Sequence, residues 1–272
     1  MATKPDESRS TPLIPQARVL VAILNDIEYD LACAEEFGLG AEVQVFGMPP
    51  YLGKDCTNEI ERMAERLEGL AGPVGVHGPF MDLAHFSPDP AIREVCRKRY
   101  LEAFDLADAL NAEYVIFHTQ YNTMLRLPDY PEMFHQQSME FWPQIVAEAE
   151  RRGITICMEN MFDEDPLPSR RLADEIASRR FKLCLDIAHA VIYSDINIAN
   201  WIDAFQPHLR HVHINDCDGI NDLHLALGKG TLKLGRAISL LEATDLDLNY
   251  TLETNRGGRD SALYLGYEPV SE

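Results

Sequence analysis

The feature that most narrows the fold is an alternation along the chain. Eight short apolar runs fall at residues 19–24, 41–46, 73–77, 113–118, 154–159, 181–186, 210–215 and 249–253. Between them, helical spacing runs over 29–37, 58–70, 91–110, 131–152, 169–179, 198–205 and 234–244. Gly153 is expected just past the end of the fourth helix, and Ser169 as the N-cap of the fifth. In the third helix, Ile92, Val95, Cys96, Ala103, Leu106, Ala107 and Leu110 share one face. Strands that alternate with helices build a parallel sheet, and eight of them close it. The competing open sheet carries a glycine-rich turn after its first strand. Here that turn reads Asn25-Asp26-Ile27-Glu28-Tyr29-Asp30. The expected fold is α/β: a single (β/α)8 barrel over 17–272, preceded by a flexible tail over 1–16.

Several runs end on a metal-ligand type of residue. His77, His118, Glu159 and Asp186 end the third to sixth runs, His213 lies in the seventh, and Glu253 ends the eighth. His189 follows Asp186 by three residues, and Asp222 and His224 lie in the loop after the seventh run. In a parallel barrel the C-terminal strand ends meet on one face, and catalytic residues come from those ends. Nine ligand-type side chains, including five of the nine histidines, would then line one bowl. Crowded carboxylates repel one another, and divalent cations remove that penalty. Imidazole with carboxylate suits zinc, manganese or iron. One to three ions per chain, Zn2+ or Mn2+, are expected.

Other candidates have plainer readings. His85, His135 and His208 are expected at the surface. His211 shares a strand face with His213 and is expected one rung deeper, as a supporting or core residue. Trp142 and Trp201 are expected to pack. Gly228 and Gly230 are read as turn glycines that, with Lys229, could also approach a phosphate.

Composition excludes little but tilts the rest. A net charge of −20 weakens a nucleic-acid partner. No apolar run approaches the roughly 20 residues that span a bilayer, and the polar first residues show no apolar signal core. The six cysteines are scattered without a C-x-x-C pair, as free thiols in a reducing cytoplasm would be.

At these residues the sequence resembles the xylose isomerase-like TIM barrel superfamily. The similar segments are VHGPF (76–80), VIFH (115–118), MEN (158–160), LDIAHA (185–190), HVHIND (211–216), DLHLALGKG (222–230) and LET (252–254). The resemblance implies one of two enzymes. In the sugar (phosphate) isomerase and epimerase branch, one divalent metal would be held by Glu159, Asp186, His213 and Glu253. The two glutamates would exchange a proton beside a carbonyl through a metal-bound enediolate, and His189 would hold a substrate oxygen. In the endonuclease IV branch, three zinc ions would be held by all nine ligand-type residues, for phosphodiester hydrolysis of abasic DNA or a smaller phosphoester. The sequence departs from both patterns. The loop after the second run, Gly47-Met48-Pro49-Pro50-Tyr51-Leu52-Gly53, lacks the Arg and Gln of a DNA-contacting loop, and Phe80 is the one aromatic near His77 that could wedge into a duplex. The arginine that usually follows the seventh-strand His in isomerases is absent, so Arg256 or Arg259 could contact an anionic group instead. A small sugar-like substrate and a possible homo-oligomer complete the expectation.

Overall fold

Strand and helix alternate through the computed structural model, which describes residues 12–270. The elements are β1 (Val19–Ile23), α1 (Ile27–Glu36), β2 (Gly40–Val43), α2 (Thr57–Leu67), β3 (Val74–His77), α3 (Pro90–Ala109), β4 (Tyr114–His118), α4 (Tyr130–Arg152), β5 (Thr155–Glu159), α5 (Leu167–Ile176), β6 (Phe181–Asp186), α6 (Ile187–Tyr193), α7 (Ile198–Phe205), β7 (Leu209–Ile214), α8 (Leu234–Glu242), β8 (Asn249–Leu252) and α9 (Gly258–Leu265). Every neighbouring pair of strands is parallel, and β8 pairs with β1 to close the barrel.

Side chains alternate along each strand between the barrel interior and the helices. The outward set, such as Val19, Val21, Val76, Phe117 and Leu183, joins the large core beneath the helices. Inside lies a smaller apolar layer of Leu20, Tyr114, Ile116, Cys157 and Cys184. Gly75 makes room for it, because a Cβ there would lie 2.1 Å from the Tyr114 ring. Above this layer the interior turns polar, with Glu42, His211, His213 and Thr251 all buried. A register shift between β6 and β7 inserts Arg210, so that Leu183 pairs with Leu209 while Cys184 pairs with His211. This bulge keeps His211 and His213 facing inward.

Trp142 and Trp201 are fully buried, and Gly153 ends α4 in the left-handed conformation, as expected. All six cysteines are free. Among the described residues no helix is long and apolar enough to cross a membrane.

Several expectations need correction. Residues 1–11 of the expected tail lie outside the described residues, but 12–16 pack on the barrel. Ile14 is buried, and its carbonyl accepts from the Tyr267 hydroxyl at 2.9 Å. Ser169 is a buried residue inside α5 rather than its cap, because the helix starts directly after Pro166, at Leu167. Ile92 and Val95 are exposed, so the buried face of α3 begins at Cys96. His85 is fully buried and His135 nearly so, against the surface roles expected of them. The helices α6 and α9, seven and eight residues long, had no counterpart in the apolar pattern.

Candidate metal centre

Each ligand-type residue reaches the bowl by strand geometry. His77, His118, Glu159 and Asp186 are the last residues of β3, β4, β5 and β6. Register sets His118 beside Glu159 and Asp186 beside His213. Asp186 also caps α6, accepting the backbone N–H of His189 at 2.6 Å, which turns His189 back over the bowl. Glu253 directly follows β8. Asp222 and His224 come from the loop after β7, with His224 in the left-handed region at φ 46°.

The nine residues form three adjoining groups. In the central one, ligand atoms of Glu159, Asp186, His213 and Glu253 all lie within 4.8 Å of one another. His77, His118 and Glu159 make a second group, and His189, Asp222 and His224 a third. The central group contains buried polar atoms with no hydrogen-bond partner among the described residues: Glu159 Oε1, His213 Nδ1 and Glu253 Oε2. Unpaired buried polar atoms are costly. Nδ1 of His213 lies 3.2 Å from Glu159 Oε1 and 3.0 Å from Glu253 Oε2. An oxygen-rich donor set of this kind fits a divalent cation, which would give those atoms their partner.

Electrostatics points the same way. Burial pushes the Glu159 carboxyl up, but the imidazoles of His213 and His118 outweigh it and hold it well below the usual carboxylate range. Glu253 falls to about 2, since His213 and His224 overcome its burial. Burial lowers His224, yet its hydrogen bond to Asp222 and the charge of Glu253 lift it to about 10. Asp186 rises to about 6, mainly by burial, with the charge of His189 opposing. Protons on imidazoles thus balance carboxylates packed out of water, a role a cation can take over.

Residues 31–266 match the family described as xylose isomerase-like TIM barrel. The chain belongs to that family. A relative is the uncharacterised protein MJ1311 of Methanocaldococcus jannaschii, 27% identical over 211 residues, which are 74% of this chain and 71% of that one. Among solved structures, the TTHB071 protein of Thermus thermophilus, soaked with zinc chloride, is 28% identical with a TM-score of 0.76, covering 92% of this chain and 96% of that one. A D-tagatose 3-epimerase-like protein shares the fold at 21% identity and a TM-score of 0.75, over 92% and 96% of the two chains.

Within this xylose isomerase-like barrel, both expected substrate-binding residues are held in ion pairs, and Arg256 lines a small pocket together with His224 and Glu253. Arg256 is mostly exposed and pairs with Asp26. Lys229 pairs with Asp260 at 3.2 Å. The glycine turn beside it is committed too, because Gly228 N–H donates to Asp216 at 3.0 Å. Arg259 pairs with Glu36. His211 lies one rung below His213, 3.2 Å from Glu42.

Four supporting residues were not singled out from sequence. Asn160 clamps Asp186 through both its backbone N–H and carbonyl. Asn215 donates to Asp186 Oδ2 at 3.2 Å. Glu42 in β2 and Gln44 directly after it lie beneath the bowl. The signal for the last two was available: they alternate at period two in Ala41-Glu42-Val43-Gln44-Val45-Phe46, and in a closed barrel that places both inside.

Proposed function

We propose that this chain is a divalent-metal enzyme that moves a proton at a carbon next to a carbonyl in a small sugar-like substrate, as sugar (phosphate) isomerases and epimerases do. One observation carries the reading. Glu159 and Glu253 both face His213 Nδ1, at 3.2 and 3.0 Å, each with a buried oxygen lacking a hydrogen-bond partner among the described residues. Such a pair can remove a proton on one side of a substrate carbon and return it on the other. A cation held by Glu159, Asp186, His213 and Glu253 would supply positive charge where negative charge develops on the substrate oxygens. His189 donates Nδ1–H to the Asn160 carbonyl at 3.0 Å, which turns its Nε2 edge into the bowl, where it can bind a substrate oxygen. The low pKa of both glutamates keeps them ionised, the form in which they can hold a cation. The epimerase-like structural relative supports this substrate class.

The test is solvent exchange. With Zn2+ or Mn2+ added, ketoses and hydroxy-keto acids incubated in deuterium oxide should gain deuterium beside the carbonyl, followed by NMR. Cleavage of phosphoesters without any exchange across the panel would sink the reading.

A second reading, a three-zinc phosphodiesterase, is favoured by one specific observation. His77, His189 and His224 each donate Nδ1–H to a backbone carbonyl, at 2.8, 3.0 and 2.9 Å. Their Nε2 atoms are thereby turned to Glu159 at 3.2 Å and to Asp222 at 3.3 and 3.2 Å. Metal-ligating histidines are usually oriented in this way, and the outer two groups are built for more than one cation. The rim speaks against a duplex as its substrate. Met81, Met124, Leu127, Phe162 and Ile220 are exposed on the surrounding loops. Phe80 rests its ring 5.4 Å from His77 and 5.3 Å from His118. A smaller phosphoester suits this surface better.

A further inference from the structure

Beneath the bowl, Glu42 is fully buried and both of its oxygens are held by polar neighbours. Its Oε1 takes the Gln44 amide at 3.0 Å and lies 3.1 Å from His213 Nε2. Its Oε2 accepts from the Thr251 hydroxyl at 2.9 Å and the Tyr114 hydroxyl at 3.2 Å, and lies 3.2 Å from His211 Nε2. With both carboxylate oxygens occupied, Glu42 is an acceptor within a closed network and not itself a free ligand.

Gln44 extends the network to the other side of the centre. The same amide nitrogen that reaches Glu42 donates to Glu253 Oε1 at 2.7 Å. Glu253 is left with Oε2 facing His213 Nδ1, and Oε2 has no hydrogen-bond partner among the described residues. His213 shows the same division. One ring nitrogen is taken by Glu42 and the other is turned to the ligand group.

We propose that Glu42 and Gln44 are a positioning pair that presents His213 Nδ1 and Glu253 Oε2 to a divalent cation. The pair acts through other residues and touches no substrate. A carboxylate on the far ring nitrogen fixes the tautomer and orientation of a ligating histidine and strengthens it as a donor. Here that carboxylate sits on β2, a strand that contributes no ligand of its own, and it is held rigid from β2, β4, β7 and β8 at once. The proposal rests on the metal-centre reading above.

The test uses metal binding, read without turnover. Zn2+ affinity is measured by competition with a chelator, and Co2+ binding by its visible absorption, for the full chain and for Glu42→Gln, Glu42→Asp and Gln44→Leu. The expected loss of affinity is about 10- to 100-fold for Glu42→Gln, the scale of supporting residues around metal ligands. Its Co2+ band should shift, and Glu42→Asp, which keeps the charge, should recover part of the affinity. Gln44→Leu should show a smaller loss with a shifted band, and it carries the test if Glu42→Gln does not fold. Affinities and bands equal to wild type in folded variants would overturn the positioning role while leaving the metal centre intact. No binding of either metal by the wild type would overturn the metal-centre reading, and the positioning role with it.

Discussion

The aromatic layer under α4 and the bowl at the strand ends both bury histidine, in opposite company. His85 sits among the rings of Phe86, Phe134, Phe141 and Trp142, with centroids 5.1 to 5.7 Å away. Burial drives its pKa down to about 3, and it stays neutral, accepting the Trp142 indole N–H at 3.1 Å. In the bowl, His189 is buried as deeply, but Asp186, Asp222 and Glu159 raise it well above the ordinary value. Burial alone favours the neutral ring in both places. Neighbouring carboxylates decide the outcome, turning one histidine into a core residue and the other into part of a charged, cation-ready cluster.

Substitutions can break that contrast, and the largest effect belongs to Glu159. It is shared by the central group and the His77–His118 group. Glu159→Gln should cut turnover by about 10^3-fold or more, as losing a group that acts in the transition state does, and metal content should drop with it. Near-normal activity in steady-state assays would refute the centre as described. His118→Ala comes next, and its size is diagnostic. It should cripple an enzyme that needs the outer group and only weaken one that uses the central four, as parallel kcat and metal-content measurements would show.

A smaller effect follows from the protons held by the bowl. Metal binding must displace them, so protons should be released on binding and affinity should fall as pH is lowered. With His224 at about 10 and Glu253 near 2, competition by His224 should already be present at neutral pH. Calorimetry in buffers of different ionisation enthalpy measures the release directly, and a buffer-independent signal would contradict it.

The aromatic layer should show a pH dependence of the same sign, but in stability rather than binding. The folded pKa of His85 is depressed from 6.5 to about 3. Its contribution is fully present above pH 6.5 and is lost as pH falls toward 3, by up to about 1.4 kcal/mol per pH unit. His85→Gln keeps an acceptor for Trp142 and removes the titration. Urea unfolding across this range should give a flatter acid limb for the variant, and an unchanged slope would show that His85 is not its source.

The contrast also explains what the sequence made legible. Strand ends could be read because one period-two pattern serves the whole barrel, and His77, His118, Glu159 and Asp186 all fall on its last inward position. The deeper network was harder. Glu42 and Gln44 occupy a run whose alternation resembles a half-exposed strand, and only closure of the barrel turns the polar face inward. His85 was missed for a related reason, since a lone histidine in a Pro- and Asp-containing loop gives no sign of the aromatic layer that α4 folds over it. The pairing of Arg256 with Asp26, 230 residues away in sequence, lies beyond any local pattern.

A metal centre at the strand ends is tested most simply by metal content per chain, from elemental analysis of protein purified without chelator and again after equilibration with Zn2+ or Mn2+. At least one tightly held divalent ion per chain is expected. One ion would favour proton transfer by the central group, and three would favour phosphoester hydrolysis using all nine ligands. Protein that holds no divalent ion even after equilibration would rule out a metal centre built from Glu159, Asp186, His213 and Glu253.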